Sequence, residues 1–424
     1  MSAYGDAADR LSVVDEIFLR THRGMGTPIA LQGLWRTADR IDPELLRRLH
    51  AELSVGPLGR RVIRPRVPGA RRGWRPNIRS HALGLSDEPI PVARLLDWAD
   101  GQGNDLDPES GPGWRLAATA LDDGGTLVAL TCSHVLADGR ALALAVDMAL
   151  RALDTPHSAD SRPPTPPVSD WADARRQWWI VLRGTARALR NGIPRRPAAA
   201  APDERAGTGL VPTVGAVLQC PAADWDRVAA TAGGTANSLF IYLVAKVLWD
   251  SGFPGEAIEA SLPVDTRAEP RVDNDLAMTS ITVDRSDDPA TIREKARAAY
   301  ESRMSSPGGM PEELLQLIPD RLAYALSRGA GERDILCSNI GTLPDSLRAL
   351  GPHRCVGVAA RAIHPGLDAN HRPRTRLSGY LTRIDADYTL ALVGLDPARI
   401  RTTTELHDLI RKPAAELGLP LTFW

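Results

Sequence analysis

A chain of 424 residues, 43% of them hydrophobic, is too long for one core of ordinary size and reads as two domains of roughly 200 residues each. A formal net charge of −1 excludes a protein that holds nucleic acid by bulk positive charge. Cys132, Cys220, Cys337 and Cys355 lie far apart, with no CxxC or CxxH spacing, and read as reduced packing thiols rather than zinc or redox ligands.

The first ten residues carry no basic-then-apolar leader and no apolar run reaches the ~18 residues of a membrane span, so the expected location is the cytoplasm. Residues 11–19 form a short amphipathic piece, followed by Gly-rich chain and a strand over 29–36. Asp42 with Pro43 starts a helix whose apolar stripe is Leu45, Leu46 and Leu49 and which ends by Gly56. Between 60 and 79 eight arginines alternate with prolines, glycines and Trp74. That composition predicts an irregular or edge segment, first of all a solvated basic loop, with phosphate or an acidic carrier as the functional alternative.

Apolar runs at 114–120 and 126–132, separated by Asp122, Asp123, Gly124 and Gly125, predict a β-hairpin. Its second strand feeds Ser133-His-Val-Leu-Ala-Asp-Gly139, and a helix over 141–153 follows, apolar nearly all round and therefore buried. After Asp154 the composition changes, and the proline-rich run 162–170 marks a connector. Residues 1–165 form the first half, 166–204 a proline-rich and basic helical crossover, and 205–424 the second half. The helix over 171–190 sets its tryptophans opposite its arginines. Packing of the tryptophans on the protein's own surface is the first expectation, a membrane interface or an acidic carrier the alternative.

In the second half, strands are expected at 213–219, 260–264, 278–283, 335–340, 377–383 and 388–393. Helices are expected at 224–232, 289–304, 312–327 and 405–417, and Asn237 begins a strong helix over 238–249. The order predicts an α/β sandwich in each half.

A general base near neutral pH calls for an imidazole, and of nine histidines His134 has the context: a strand end followed by Asp138 and Gly139, the glycine allowing a sharp turn into the helix. Gly-x-Ser-x-Gly, Walker, Rossmann and His-Glu-x-x-His patterns are missing, which removes support for triad hydrolase, NTPase, dinucleotide and metallopeptidase chemistry. Cys132 and Ser133 adjoin His134 without facing it, which favours direct base-assisted attack over a covalent route.

His134-Val-Leu-Ala-Asp138-Gly139 resembles the His-His-x-x-x-Asp-Gly signature of the condensation-domain and thioester-dependent acyltransferase superfamily. That group includes nonribosomal peptide condensation domains, polyketide-associated acyltransferases and wax ester synthase/diacylglycerol acyltransferases. Leu11-Ser-Val-Val-Asp-Glu-Ile-Phe-Leu19, 106–114, Asn237, Leu262-Pro-Val-Asp-Thr-Arg267 and Ser338-Asn-Ile-Gly341 resemble further landmarks in the same order.

The resemblance implies two chloramphenicol-acetyltransferase-like subdomains forming a V, with His134 in a tunnel between them. His134 would take a proton from an acceptor hydroxyl or amine attacking a thioester carbonyl. Asp138 and Gly139 would hold the loop, Arg267 would pair with Asp138, and Ser338 and Asn339 would position substrate or the neighbouring strand. No metal and no permanently bound cofactor is implied. The co-substrate would be acyl-CoA or a phosphopantetheine thioester on an acyl or peptidyl carrier protein, and the acceptor a small molecule.

Departures sharpen the expectation. Ser133 stands where the family has the first histidine, Gly111-Pro-Gly-Trp114 replaces Pro-Leu-Trp, and 338–344 replaces Asn-Val-Pro-Gly-Pro. These favour an enzyme of specialised metabolism over a membrane-associated lipid-ester synthase, and the intact His134, Asp138 and Gly139 argue against an inactive carrier-binding relative.

Overall fold

The computed structural model describes residues 10–77, 79–154, 169–190, 209–301, 311–327 and 332–424. In the first half α1 (Val13–His22) begins at Ser12, whose hydroxyl takes the Asp15 backbone N–H while the Asp15 carboxylate takes that of Ser12. β1 (Ala30–Thr37), α2 (Pro43–Val55), β2 (Arg60–Ile63), β3 (Gly73–Pro76), β4 (Gly84–Ile90), α3 (Leu95–Asp100), β5 (Trp114–Leu121), β6 (Thr126–Ser133) and α4 (Gly139–Asp154) follow. Asp42 caps α2 with Pro43 in its first turn, as the sequence predicts.

After α5 (Asp170–Arg190) come β7 (Val214–Pro221), α6 (Ala222–Thr231), α7 (Ala236–Asp250), β8 (Ala257–Asp265), β9 (Leu276–Asp284), α8 (Pro289–Glu301), α9 (Leu314–Leu317) and α10 (Asp320–Ser327). The chain ends through β10 (Ile335–Thr342), β11 (Ala349–Leu350), β12 (His353–Ile363), β13 (Leu377–Ile384), β14 (Asp387–Gly394), α11 (Thr403–Glu416) and β15 (Thr422–Phe423).

Among the described residues the main strands form a six-stranded sheet, β11-β12-β1-β6-β5-β4, and a seven-stranded sheet, β15-β7-β14-β13-β10-β8-β9. β12 is therefore a strand of the second half that completes the sheet of the first. It pairs antiparallel with β1 from Ala30↔Ile363 to Thr37↔Cys355, and the sequence reading assigned it no element. Each sheet buries its own apolar cluster: α2 and α4 cover the first with Leu46, Leu49, Leu142 and Val146, α7 and α11 the second with Leu243, Val247, Leu406 and Ile410. Arg361 of β12 is buried and donates to Gln32 of β1 at 2.8 Å and to Asp100.

Three expectations change. Thr235, not Asn237, starts α7, because its hydroxyl takes the Ser238 N–H and Ser238 returns the bond. The helix expected over 312–327 is two pieces, since Ile318 before Pro319 is extended, as a residue preceding proline prefers. The arginine-rich 60–79 segment forms the short β2–β3 hairpin around a 64–72 loop; Arg64, Arg66, Arg75 and Arg79 are exposed, as a solvated segment requires, but the rest are not all free. Arg71 pairs with Asp173 at 2.8 Å, Arg72 pairs with Glu16 and Asp320, and Arg60 turns inward. Most of the proline-rich connector lies outside the described residues.

On α5 the expectation of inward tryptophans fails. Of the face expected to pack inward, Ala174 and Val181 are buried and Trp178 lies half out against Gly69, but Trp171 is 74% exposed and Leu182 62%, and the buried stripe is completed by Asp173, Gln177 and Ala188. The small residues and the Asp173–Arg71 pair seat the helix, and its bulky apolar side chains face out.

Candidate active site

β6 ends at Ser133, whose N–H is held by the Gly113 carbonyl, and Leu136 donates back to the Ser133 carbonyl in a tight turn. His134 sits on that turn. The ring is stacked on Phe18 of α1, with centroids 3.6 Å apart and planes 14° from parallel. Asp15, one turn earlier on α1, supplies the next polar contact.

Asn274, in the loop between β8 and β9, connects these groups. Its side-chain N–H₂ donates to the Asp15 carboxylate at 2.8 Å and to the carbonyls of His134 at 2.8 Å and Val135 at 3.1 Å. With the nitrogen committed to three acceptors, the carboxamide oxygen is what faces Nδ1 of His134, at 3.2 Å. Nδ1 must then carry the proton, which puts the lone pair on Nε2.

Burial pushes His134 down to about 4, against the smaller upward pull of its backbone contacts and Asn274, so the imidazole is neutral at physiological pH. Burial also pushes Asp15 up to about 6, although Asn274, Ser12 and the Arg60 guanidinium favour its charged form. Arg60 is a pin as well as a charge. It stacks 4.1 Å over Trp74 and donates to the carbonyls of Leu136 at 2.7 Å and Val272 at 2.8 Å, fastening the His134 turn to the Asn274 loop.

Asp138 is turned away from the imidazole. One carboxylate oxygen takes the Ala141 N–H at 2.8 Å and caps α4; the other takes Arg267 at 2.5 Å and the Asp275 N–H at 3.2 Å. Burial alone would lower the Arg267 pKa, but the Asp138 and Asp265 carboxylates outweigh it and hold the guanidinium above its usual value. Both side chains are nearly enclosed, at 5% and 7% exposure, so the pair fixes loop 265–275 against the His134 turn.

Gly139 has no left-handed backbone angle, which corrects the sharp-turn expectation; a Cβ there would come within 3.0 Å of Ile340. Its value is room. Asn339 and Ser338 lie on β10, away from this cluster. Asn339 donates to Asn237 at 3.0 Å and accepts from the Gly341 N–H at 3.0 Å, shaping the irregular end of β10, where Gly341 has φ +82°. Ser338 is half-buried opposite Tyr380, and neither residue hydrogen-bonds the His134 cluster among the described residues.

Cys132 is fully buried and its thiol is pushed up to about 12, too high for a nucleophile at neutral pH. Among the described residues no cluster of three or more His, Cys, Asp or Glu is placed to hold a metal ion.

Sequence reasoning missed Asn274, Asp15, Phe18 and Arg60 as site residues. The signal for two of them was present: Asp15 and Phe18 stand three apart within 11–19, on one helix face. Asn274 sits among Asp273 and Asp275 and reads as an ordinary polar loop.

No protein-family model and no curated protein matches the chain. Solved structures do. The first condensation domain of the calcium-dependent antibiotic synthetase, in complex with a substrate analogue, is 17% identical and superposes with a TM-score of 0.60 over 98% of this chain and 99% of that one. The starter condensation domain of rhizomide synthetase, in complex with C8-CoA and Leu-SNAC, is 13% identical, with a TM-score of 0.58 over 97% and 94%. The wax ester synthase/diacylglycerol acyltransferase from Marinobacter aquaeolei VT8 is 15% identical, with a TM-score of 0.57 over 96% and 98%. The chain therefore shares with these structures the V-shaped, two-subdomain, chloramphenicol-acetyltransferase-like fold.

Proposed function

We propose that this protein transfers an acyl group from a thioester to a hydroxyl or amine, with His134 as general base. The observation that carries the reading is the orientation of the imidazole: the Asn274 carboxamide oxygen takes Nδ1–H, which puts the basic lone pair on Nε2. Nε2 takes the proton as the acceptor oxygen or nitrogen bonds to the thioester carbonyl carbon. The C–S bond then breaks, and the departing thiolate of coenzyme A or a phosphopantetheine arm recovers that proton from the imidazolium.

Asp138 and Arg267 keep the turn in place and touch no reacting atom. The turning of Asp138 away from the ring and the half-buried rather than sealed state of His134 favour an active enzyme over an inactive binding relative. A neighbouring structure, a starter condensation domain in complex with C8-CoA and Leu-SNAC, supports a thioester donor such as acyl-CoA.

The test is thiol release from acyl-CoA and from a loaded carrier protein, each with a panel of alcohols and amines. Wild-type release with product formation, lost by 10²–10⁴-fold or roughly so in a folded His134→Ala variant, is the expected result. A folded His134→Ala variant with the wild-type rate sinks the proposal.

One observation favours membrane association as a second reading. The outer face of α5 presents Trp171, Trp179, Leu182 and Leu189 beside Arg183, Arg187 and Arg190, while Asp170 and Asp173 of the same helix are paired with Arg10 and Arg71. Exposed tryptophan with unopposed arginine suits an anionic bilayer surface. Among the described residues no single helix is long and apolar enough to cross one. Flotation with anionic but not zwitterionic vesicles, weakened in Trp171→Ser/Trp179→Ser, supports this reading; no flotation with either removes it.

A further inference from the structure

A second histidine is brought to the same sheet end by the strand that crosses between the halves. Ile363 of β12, Ala30 of β1 and Ser133 of β6 stand in one row, with β12 and β6 both antiparallel to β1. His364 and His134 are each the next residue beyond that row. Two strand spacings separate their positions at this end of the sheet, roughly 10 Å.

The imidazole of His364 is oriented as definitely as that of His134. Its Nδ1 lies 2.8 Å from the Pro28 carbonyl, which can only accept, so Nδ1 carries the proton and Nε2 presents a lone pair. That Nε2 is buried and has no hydrogen-bond partner among the described residues. Burial pushes the group down to about 4, the Pro28 contact opposes this, and positive charge on His134 would push it lower still, so the two rings interact electrostatically.

A buried acceptor left unpaired costs stability unless something pairs with it. Nothing in the acyl-transfer steps uses His364, and it lies outside every motif of the sequence.

We infer that His364 is a substrate-contacting residue, whose Nε2 accepts a hydrogen bond from an N–H or O–H of the molecule bound beside His134. The inference rests on the acyl-transfer reading of this site. A neutral imidazole with its proton turned to Pro28 can only accept there, so it selects a donor group. Two sources carry one: the amide N–H groups of a pantetheine arm, and the hydroxyl or amine of the acceptor.

The experiment uses two substitutions of opposite geometry. His364→Asn keeps a donor near the Nδ1 position, toward Pro28, and removes the acceptor at Nε2; His364→Gln restores an acceptor at Nε2 and loses the Pro28 bond. If Nε2 contacts substrate, the Asn variant raises one KM by about tenfold with kcat little changed, and the Gln variant stays near wild type. A change in the KM of the acyl thioester assigns the pantetheine arm, and a change in that of the acceptor assigns the nucleophile. A wild-type Asn variant, or a Gln variant worse than Asn, means a structural role and overturns the inference.

Should the wild-type protein transfer nothing, the acyl-transfer reading fails separately. The contact is then read by imidazole ¹⁵N NMR with a non-transferring acyl-CoA thioether at saturation. A shift of the His364 Nε2 resonance upholds the contact; saturation seen elsewhere with no shift there overturns it.

Discussion

Asn274 of the second half touches His134 of the first with both ends of its carboxamide, the oxygen on Nδ1 and the nitrogen on the residue's own carbonyl. One side chain thus sets both the ring's tautomer and the backbone that carries it. Asn274→Ala takes from Nδ1 its carboxamide partner and from Asp15 the partner of one carboxylate oxygen, in a buried place, and kcat/KM is expected to fall about 10- to 100-fold with the global fold intact, by analogy with other residues that orient a reactive imidazole. Steady-state kinetics beside circular dichroism checks this.

The same contact governs the pH profile. Because burial holds His134 at about 4, the base is already neutral above about pH 5, and kcat/KM should be flat from there to neutrality, with its acid limb near 4 rather than 6.5. Asn274→Asp places a carboxylate beside the ring, favours the imidazolium and moves the acid limb upward. A limb that stays put in that variant contradicts the assignment of His134 as the titrating base.

Removing one member of the Asp138–Arg267 pair strands a charge in an enclosed site. Arg267→Ala is expected to destabilise the fold by about 3–5 kcal/mol, and Arg267→Lys to recover only part of it, since a single ammonium cannot serve Asp138, Asp265 and the Asp273 carbonyl together. Urea denaturation gives the values. Undiminished stability with abolished activity would instead put the pair in the chemistry.

At Gly139 size, not backbone angle, is the constraint. The atom that a Cβ would meet is the flexible end of Ile340, so Gly139→Ala should be nearly neutral, while Gly139→Val should cost about 1–3 kcal/mol by overpacking. The difference in Tm between the two variants tests it.

Stability against pH carries two opposing signatures. For His134 and His364, folded near 4 against 6.5 unfolded, the unfolded chain binds more protons in that window, so these groups make stability rise with pH from about 4 to 6.5. Asp15, raised from 3.8 to about 6, binds its proton more tightly when folded and works the other way between those values. Asp15→Asn should therefore steepen the rise in stability across pH 4 to 6, measured by denaturation at a series of pH values.

The sequence was most legible where local chemistry decides the outcome. The Asp42-Pro43 helix start, the hairpin around Asp122–Gly125 and the His134 turn all declare themselves through caps, turn residues and alternating patterns. It was least legible where a partner lies far along the chain. β12 reads as mixed arginine, alanine and glycine, because one of its faces meets Gln32 and Asp100 through Arg361. Asn274 bonds groups 140 and 259 residues away, and no local pattern announces that. The tryptophans of α5 were misread for a related reason: periodicity identifies two faces, but the small-residue stripe with Asp173 is the one that Arg71 and the hairpin hold inward.

The placement of β12 between β11 and β1 also orders events in time. While the chain emerges from the ribosome, the first sheet can assemble β1, β6, β5 and β4, but the outer flank of β1 stays an open edge until residue 363 has been made. An unpaired edge next to a buried face invites association with other chains, and a closure spanning more than 300 residues is slow. Nascent chains halted before this strand should be the ones that need chaperones, and His134 and His364 come together only when most of the protein has been synthesised.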